Sequence, residues 1–231
     1  PCGVPFRLPF PPPTVFFFPQ SSSDLTALYF SVMKEQRKAG EERYPEFDAV
    51  AVFREIIQLH ATKFTRQLPK KKRRQLPLLL AETFRAASCF RLKLYYGVEE
   101  TIKKLHLKYH LAVVSDGQTA YSIPELNAVG LLKYFSPIIV SGDFGCRKPD
   151  KRLFKKALAA MKMQPEEVLF IGNDMYRDVY GAQRLGIKTV FYKSNQGRQE
   201  KAGVEPDYII YTFPELLNAV HFFERKEQAN N

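Results

Sequence analysis

The densest set of candidate functional side chains lies in the segment 172–182, Gly-Asn-Asp-Met-Tyr-Arg-Asp-Val-Tyr-Gly-Ala. Asp174 and Asp178 are four residues apart, so in a helix they share one face. Together with the amide of Asn173 they offer hard oxygen ligands, which suit Mg²⁺. The same spacing also fits a structural role, in which Asp174 caps a helix and Asp178 interacts favourably with its dipole. On these residues alone, both interpretations stay open.

Two other segments place polar groups where an anion can bind. One apolar run ends in Ser115-Asp116-Gly117, where a hydroxyl and the backbone N–H groups of a turn predict a small anion-binding nest. The alternative is an ordinary strand-to-helix turn. Lys148 precedes Pro149, which suits the first position of a helix and would place the ammonium at the helix start as a point charge for a phosphate. The alternative there is a solvated loop lysine.

These segments follow short, continuous apolar runs, which are typical of strands buried on both faces of a parallel sheet. Amphipathic segments separate the runs, so we expect a doubly wound, Rossmann-like α/β core over residues 94–231. Ligands bind beyond the carboxyl ends of such strands, and the candidate side chains should therefore converge on one site. The predicted strands are Leu111–Ser115, Pro137–Val140, Val168–Ile171, Lys188–Tyr192 and Asp207–Tyr211, and the predicted helices are Pro149–Met161, Met175–Leu185 and Pro214–Phe223.

Residues 20–93 show helical rather than strand patterns. Their hydrophobic residues recur at helical spacing, which predicts a small all-helical domain of three helices. The basic run Lys70–Arg74 is expected in a loop between two of them. Residues 1–19 form an uncertain N-terminal segment, in which Thr14–Phe18 is the only candidate for a first core strand. The first predicted helix begins at its N-cap residue, Asp24. The second and third predicted helices span Phe47–Phe64 and Leu78–Leu94.

The charge of the chain is concentrated in one stretch. The formal net charge of the 231 residues is +11, and residues 60–93 contain ten cationic side chains against one acid. A nucleic-acid-binding protein typically spreads such charge along a face with a recognisable motif, so we expect no nucleic-acid partner. A nuclear-localisation pattern fits Lys70–Arg74 alone, but no binding fold accompanies it. The run is interpreted as a solvated surface or as a positive surface that steers an anionic substrate.

Composition excludes several other classes of protein. A hydrophobic content of 45% argues against a wholly disordered chain. The sequence has no run of about 18 apolar residues, so no membrane span is predicted. Its proline-rich N-terminus does not resemble a signal peptide. Cys2, Cys89 and Cys146 lie far apart and lack zinc-ligand spacing, so we expect thiols in the reducing cytoplasm.

In combination, the chemistry-bearing segments resemble the haloacid dehalogenase-like (HAD) superfamily of hydrolases, over about residues 94–220. The helical domain at 20–93 lies where many members carry a helical cap. The segment Tyr96–Glu100 is similar to the lead-in to the helix before the second motif. Three motifs have counterparts in chain order: Ser115 for the second, Lys148 with Pro149 for the third, and Gly172-Asn173-Asp174 with Asp178 for the fourth.

The resemblance implies a phosphatase that forms an aspartyl-phosphate intermediate. In the family, an Asp at the end of the first core strand attacks phosphorus, and a second Asp two residues later acts as general acid and base. Ser115 would then hydrogen-bond the phosphate, within the turn that includes Asp116 and Gly117. Lys148 would neutralise charge on the nucleophile and the phosphate.

The resemblance also implies Mg²⁺, which bridges nucleophile and phosphate in the family. Asp174 would hold the ion directly or through water, and Asp178 would order the loop or the water shell of the metal. Asn173 stands where many members have Asp, and Asp116 stands where Asn is frequent. These departures blur which atoms are the ligands.

The first family motif, Asp-x-Asp after a strand, is missing. Pro19-Gln20-Ser21-Ser22-Ser23 follows the candidate strand, and Asp24 is the first acid of the chain. Three explanations stay open: the nucleophile lies upstream of Pro1, the sequence of 1–19 is altered by a frame error, or the protein binds phosphate without hydrolysing it.

The leading hypothesis is a Mg²⁺-dependent phosphatase acting on a small phosphomonoester, so the expected partner is a small anionic, phosphorylated substrate. A catalytically inactive phosphate-binding or regulatory protein of the same fold is the second hypothesis. A metal-free dehalogenase of that fold is the third.

Overall fold

The computed structural model describes residues 22–230, which divide into two compact units. One unit contains the described residues up to Glu41 together with Phe47–Cys89. The other contains Glu42–Glu46 and the chain from Phe90 onward. The chain therefore leaves the first unit for five residues, returns to it, and leaves again. The candidate strand Thr14–Phe18 lies outside the described residues.

The first unit is helical throughout its described residues. Asp24 lies in the first turn of its first helix rather than at the predicted N-cap. The predicted helix Phe47–Phe64 divides in two, and Asp48 caps the first part by accepting hydrogen bonds from the N–H groups of Val50 and Ala51. The four helices are α1 (Ser22–Ala39), α2 (Ala49–His60), α3 (Lys63–Gln67) and α4 (Lys70–Ser88).

The basic run Lys70–Arg74 is helical, so the predicted loop is wrong. It forms the first turns of α4, and its side chains are exposed. Cations at a helix N-terminus oppose the helix dipole, which is why the run alone does not suggest a helix. The helix is stabilised further along, where Leu76, Leu80 and Ala81 are buried. Packing of that apolar face outweighs the unfavourable first turn.

The second unit contains five strands, each parallel to its neighbours, as predicted. In the described chain they form two sheets, one of β1 and β2 and the other in the order β3-β4-β5. Ser115 is paired with Val140, and Gly172 with Phe191, so the carboxyl ends of paired strands are level. The strands are β1 (Val113–Ser115), β2 (Ile138–Val140), β3 (Leu169–Gly172), β4 (Lys188–Tyr192) and β5 (Tyr208–Ile210).

Helices cover both faces of the three-stranded sheet. Val190 and Phe191 are adjacent in β4, so their side chains point to opposite faces. Val190 belongs to a core cluster with Leu105 and Leu216, whereas Phe191 packs with Met175. This arrangement confirms the doubly wound α/β core. Its helices are α5 (Val98–His106), α6 (Thr119–Ala128), α7 (Lys151–Met161), α8 (Gly181–Gln183) and α9 (Leu216–Asn230), with a π-helix at Met175–Tyr180.

Two predicted helices differ from the structure. Pro149 was expected at the first position of its helix, but α7 begins at Lys151 and Asp150 caps it through the N–H of Arg152. The predicted helix Met175–Leu185 is a π-helix followed by the short α8. Across the described residues, no helix has the length and apolar character to cross a membrane.

The first turn of α4 predicts a stabilising substitution. Lys71→Glu replaces a cation by an anion near the positive end of the helix dipole, so we expect the free energy of unfolding to rise by about 0.3–1 kcal/mol. Urea denaturation of the full chain measures it. Lys71→Gln, which only removes the cation, should give a smaller gain, and a loss of stability with Glu would contradict the dipole argument.

Candidate active site

The turn after β1 is more tightly hydrogen-bonded than the sequence suggested. The N–H of Gly117 donates to Ser141 Oγ at 2.9 Å, and its carbonyl accepts from the N–H of Gly142 at 3.0 Å. This N–H is therefore not free to bind an anion, unlike the predicted nest. The Ser115 hydroxyl makes no hydrogen bond to another described residue, so it is the group of this turn that is available to a ligand.

Lys148 is a largely buried residue with fixed hydrogen-bond partners rather than a solvated loop lysine. Its backbone N–H donates to Asp116 Oδ1 at 2.8 Å. Its Nζ lies 2.9 Å from the carbonyl oxygen of Val114 and 2.6 Å from Asp178 Oδ1, with the Lys148 side chain only 11% exposed. The ammonium also lies 5.7 Å from the ring centre of Phe170. Lys148 thus connects the end of β1 to the loop after β3, although the two strands belong to different sheets.

Asp174 caps the π-helix, which is the structural role that the sequence left open. Its Oδ1 accepts from the N–H groups of Tyr176 and Arg177. Its Oδ2 accepts from Arg177 Nε at 2.9 Å and from the N–H of Arg198 at 3.0 Å. Burial opposes ionisation of Asp174, but these hydrogen bonds outweigh it and hold the pKa of the carboxyl below its usual value.

Asp178 closes the loop between β3 and the π-helix. Its Oδ2 accepts from the N–H groups of Asn173 and Asp174, both at 3.0 Å, while Oδ1 receives the Lys148 ammonium. Gly172 makes the approach possible, since a Cβ there would lie 2.2 Å from the Asp178 Cβ. The glycine before the acidic pair is therefore a steric requirement.

Asp116 is the least satisfied carboxylate of the site. Its Oδ2 is buried and has no hydrogen-bond partner among the described residues; Arg177 Nη1 lies 3.7 Å away. Burial raises the pKa of Asp116 above its usual value, although the charge and the N–H of Lys148 lower it in part. A buried carboxyl with a raised pKa beside two cations is a feature typical of functional sites.

Three residues of the site were not predicted as site residues. Arg177 pairs with Asp174 at a spacing of three residues, so the helical pattern contained a signal for it. Ser141 stood out only as a polar residue at a strand end. Glu46 lies within 3.0 Å of Ser141 Oγ from 95 positions away, and no local pattern indicates such a contact.

Most of the carboxylate oxygens predicted to bind magnesium are already engaged within the protein. Both oxygens of Asp174 accept two hydrogen bonds each, and both oxygens of Asp178 are engaged. The side-chain amide of Asn173 donates to Ser194 Oγ at 3.1 Å. In the described part of the chain, no three His, Cys, Asp or Glu side chains form a group that could hold a metal ion. Asp174 has no lone pair to spare and Asp178 keeps one, on Oδ1, so this arrangement leaves few oxygen positions for an ion that requires six oxygen ligands.

Residues 32–192, more than half of the chain, match the family model described as haloacid dehalogenase-like hydrolase. The matched range includes every predicted site residue. A glyceraldehyde 3-phosphate phosphatase of Pyrococcus furiosus is 31% identical over 129 residues, which are 54% of this chain and 53% of that protein. The chain thus spans about half the length of this relative.

Solved structures are similar in fold at low sequence identity. A 2-haloacid dehalogenase of Pseudomonas syringae has a TM-score of 0.60 at 18% identity, covering 89% of this chain and 83% of the other. A HAD-type hydrolase of Bacillus subtilis, solved bound to magnesium, has a TM-score of 0.55 at 21% identity, covering 87% and 84%. At these identities the likeness shows the fold.

The buried ion pair at the centre of the site predicts a large loss of stability. Lys148→Met removes the cation beside a carboxylate that is 6% exposed. Leaving a buried charge unpaired should lower the free energy of unfolding by about 3–5 kcal/mol, measured by urea denaturation. Lys188→Met is the matched control, because Lys188 pairs with Asp207 at an exposed position and little change is expected. Equal effects of the two variants would contradict the buried pair.

The raised pKa of Asp116 predicts a stabilisation that depends on pH. Between its unfolded-state pKa and its higher folded-state pKa the native chain binds more protons, so this carboxyl makes stability fall as pH rises through that window. Asp116→Asn should therefore raise the free energy of unfolding at neutral pH and have little effect below about pH 3.9. Asp207, whose pKa is lowered by hydrogen bonds from Thr189 that outweigh its burial, is the opposite control. Asp207→Asn should lower stability at neutral pH.

Proposed function

Because the chain belongs to the haloacid dehalogenase-like hydrolase family, we propose that it binds and hydrolyses a small phosphomonoester through an aspartyl-phosphate intermediate. The observation that carries the proposal is the convergence of the three motif segments on Lys148, which contacts Asp116 through its N–H and Asp178 through its ammonium. The phosphatase name of a relative supports the same class of substrate. Residues 1–21 contain no aspartate and Asp24 lies in the first turn of α1, so the nucleophile that this intermediate requires is not assigned to a residue of the printed sequence.

Counting donors shows what the described side chains offer a phosphate. A lysine ammonium has three N–H groups, and Lys148 uses one for Val114 and one for Asp178, so one remains. The Ser115 hydroxyl supplies a second donor from the turn after β1. Arg177 keeps its Nη groups beside Asp116, at 42% exposure, and can approach a bound oxyanion from the solvent side. In the reaction, these donors bind and orient the phosphate and stabilise negative charge on its oxygens.

We also propose that the hydrolysis depends on Mg²⁺, and the charge balance of the site supports this proposal. Three carboxylates, Asp116, Asp174 and Asp178, face two cations, Lys148 and Arg177, so the ionised cluster is one positive charge short before any phosphate binds. The predicted ligands keep few free lone pairs as they stand, and we assign no step of the reaction to the ion.

The two described cysteines are free thiols, which agrees with the proposed cytoplasmic location.

Hydrolysis of p-nitrophenyl phosphate by the protein with its natural N-terminal sequence tests the proposal. We expect measurable turnover, and Lys148→Met should lower kcat/KM by about 10²–10³, since it removes a charge that stabilises the developing oxyanion. Lys188→Met should retain the activity. Phosphate binding without turnover would contradict the enzyme and support the inactive phosphate-binding protein.

The same assay separates the metal-dependent from the metal-free alternative. We expect EDTA to abolish turnover and added Mg²⁺ to restore it. Turnover that persists unchanged in EDTA would contradict the magnesium prediction. The engaged oxygens of Asp174 and Asp178 favour a metal-free dehalogenase as the second candidate, and halide release from a 2-haloacid in EDTA would identify it.

A further inference from the structure

The segment Glu42–Glu46 connects α1 to α2 yet belongs to the α/β unit. It runs antiparallel to the loop that precedes Lys148, and Pro45 and Cys146 form an isolated antiparallel β-bridge. The N–H of Glu46 donates to the carbonyl of Gly145, and the N–H of Arg147 donates to the carbonyl of Tyr44, both at 2.9 Å. These hydrogen bonds fix the segment beside one of the three motif segments of the site.

The same segment reaches the other parts of the site through its side chains. Glu42 forms a two-pronged ion pair with the guanidinium of Arg152, in the first turn of α7. The Tyr44 hydroxyl lies 3.2 Å from that of Tyr176, in the π-helix that Asp174 caps. The segment Glu42–Glu46 therefore contacts the start of α7, the loop before Lys148 and the π-helix.

Its last residue, Glu46, acts on the phosphate-binding turn through Ser141. Ser141 is fully buried, and Glu46 is 8% exposed. Ser141 Oγ accepts from the N–H of Gly117 and lies 3.0 Å from Glu46 Oε2 and 3.2 Å from the carbonyl of Gly117. A hydroxyl has one proton. The Gly117 carbonyl already accepts from Gly142, and Glu46 Oε2 is the closer of the two acceptors, at 3.0 Å against 3.2 Å. The proton therefore points to Glu46.

We propose that Glu46 is a positioning residue, which orients the Ser141 hydroxyl and thereby fixes the turn that presents Ser115 to the phosphate. The chain of hydrogen bonds runs from the Gly117 N–H to Ser141 Oγ and from the Ser141 hydroxyl to Glu46. Without the carboxylate, the Ser141 proton turns to the Gly117 carbonyl and the lone pair facing the Gly117 N–H is lost. The turn then loosens beside Asp116, which is also the acceptor for the Lys148 N–H. The phosphate half of this inference rests on the proposed function.

Binding of inorganic phosphate to the full chain tests the functional half. Glu46→Ala should raise the Kd of phosphate at least about tenfold, as expected for the loss of one buried hydrogen bond. Glu46→Gln keeps an oxygen acceptor for the Ser141 hydroxyl and should restore most of the affinity. Ser141→Ala should weaken binding as much as Glu46→Ala, and the double variant should add little to either, because both act through one chain of hydrogen bonds.

Glu42→Ala is the matched control, since it removes the same charge from the same segment without touching Ser141. It should leave the Kd of phosphate unchanged. If it weakens phosphate binding as much as Glu46→Ala, or if Glu46→Ala lowers only the melting temperature, the assignment of Glu46 as a positioning residue is overturned.

Amide hydrogen exchange distinguishes failure of this inference from failure of the proposed function. The Gly117 N–H should be protected in the wild type and in Glu42→Ala, and it should exchange faster in Glu46→Ala. Unchanged protection in Glu46→Ala overturns the inference, whatever the ligand. A wild type that binds no phosphate, but in which Glu46→Ala exposes the Gly117 amide, overturns the proposed function and leaves the positioning role supported.

Discussion

Lys148 carries its ammonium into a nearly closed space, where it meets a backbone carbonyl of β1 and the carboxylate of Asp178. The other contacts of the site depend on this position. The backbone of Lys148 orients Asp116, and Asp178 in turn holds two amides of the loop after β3. The two described sheets share no strand, so the lysine is a direct polar connection between their carboxyl ends. A side chain with three donors at its tip is suited to this task, because it can hold two fixed partners and still offer a third hydrogen bond.

The acidic loop after β3 shows how one set of residues can satisfy two interpretations. Asp174 is ionised and caps the π-helix, while Arg177 neutralises it from the next turn. These hydrogen bonds stabilise the loop, and they also occupy the oxygens of Asp174 that could otherwise bind a metal ion. The unsatisfied oxygen belongs to Asp116, on the other side of Lys148. The negative charge that lacks a hydrogen-bond partner among the described residues therefore lies at the turn after β1 rather than at Asp174 and Asp178.

The sequence was most informative where the physics is local. Apolar runs located all five strands of the described residues, because a strand covered on both faces is apolar at nearly every position. Lys148 and Ser115 were recognisable because polar residues at strand ends converge in a parallel sheet. The helical state of Lys70–Arg74 was not predictable, since it depends on packing later in α4. Neither was the role of Glu46, which arises from a contact across 95 positions, nor the engagement of Asp174 by the N–H of Arg198.

The passage of Glu42–Glu46 through the α/β unit has a consequence for modularity. A helical domain that is inserted through two junctions can be exchanged between relatives as one continuous segment, since only its two ends must fit the α/β unit. Here the chain crosses between the units three times in the described residues, and the middle excursion supplies side chains to the α/β unit's own site. Transplanting the helical unit from a relative would therefore also replace Tyr44 and Glu46. In this chain, a change of Glu42 or Glu46 is therefore expected to require a matching change of Arg152 or Ser141 in the α/β unit.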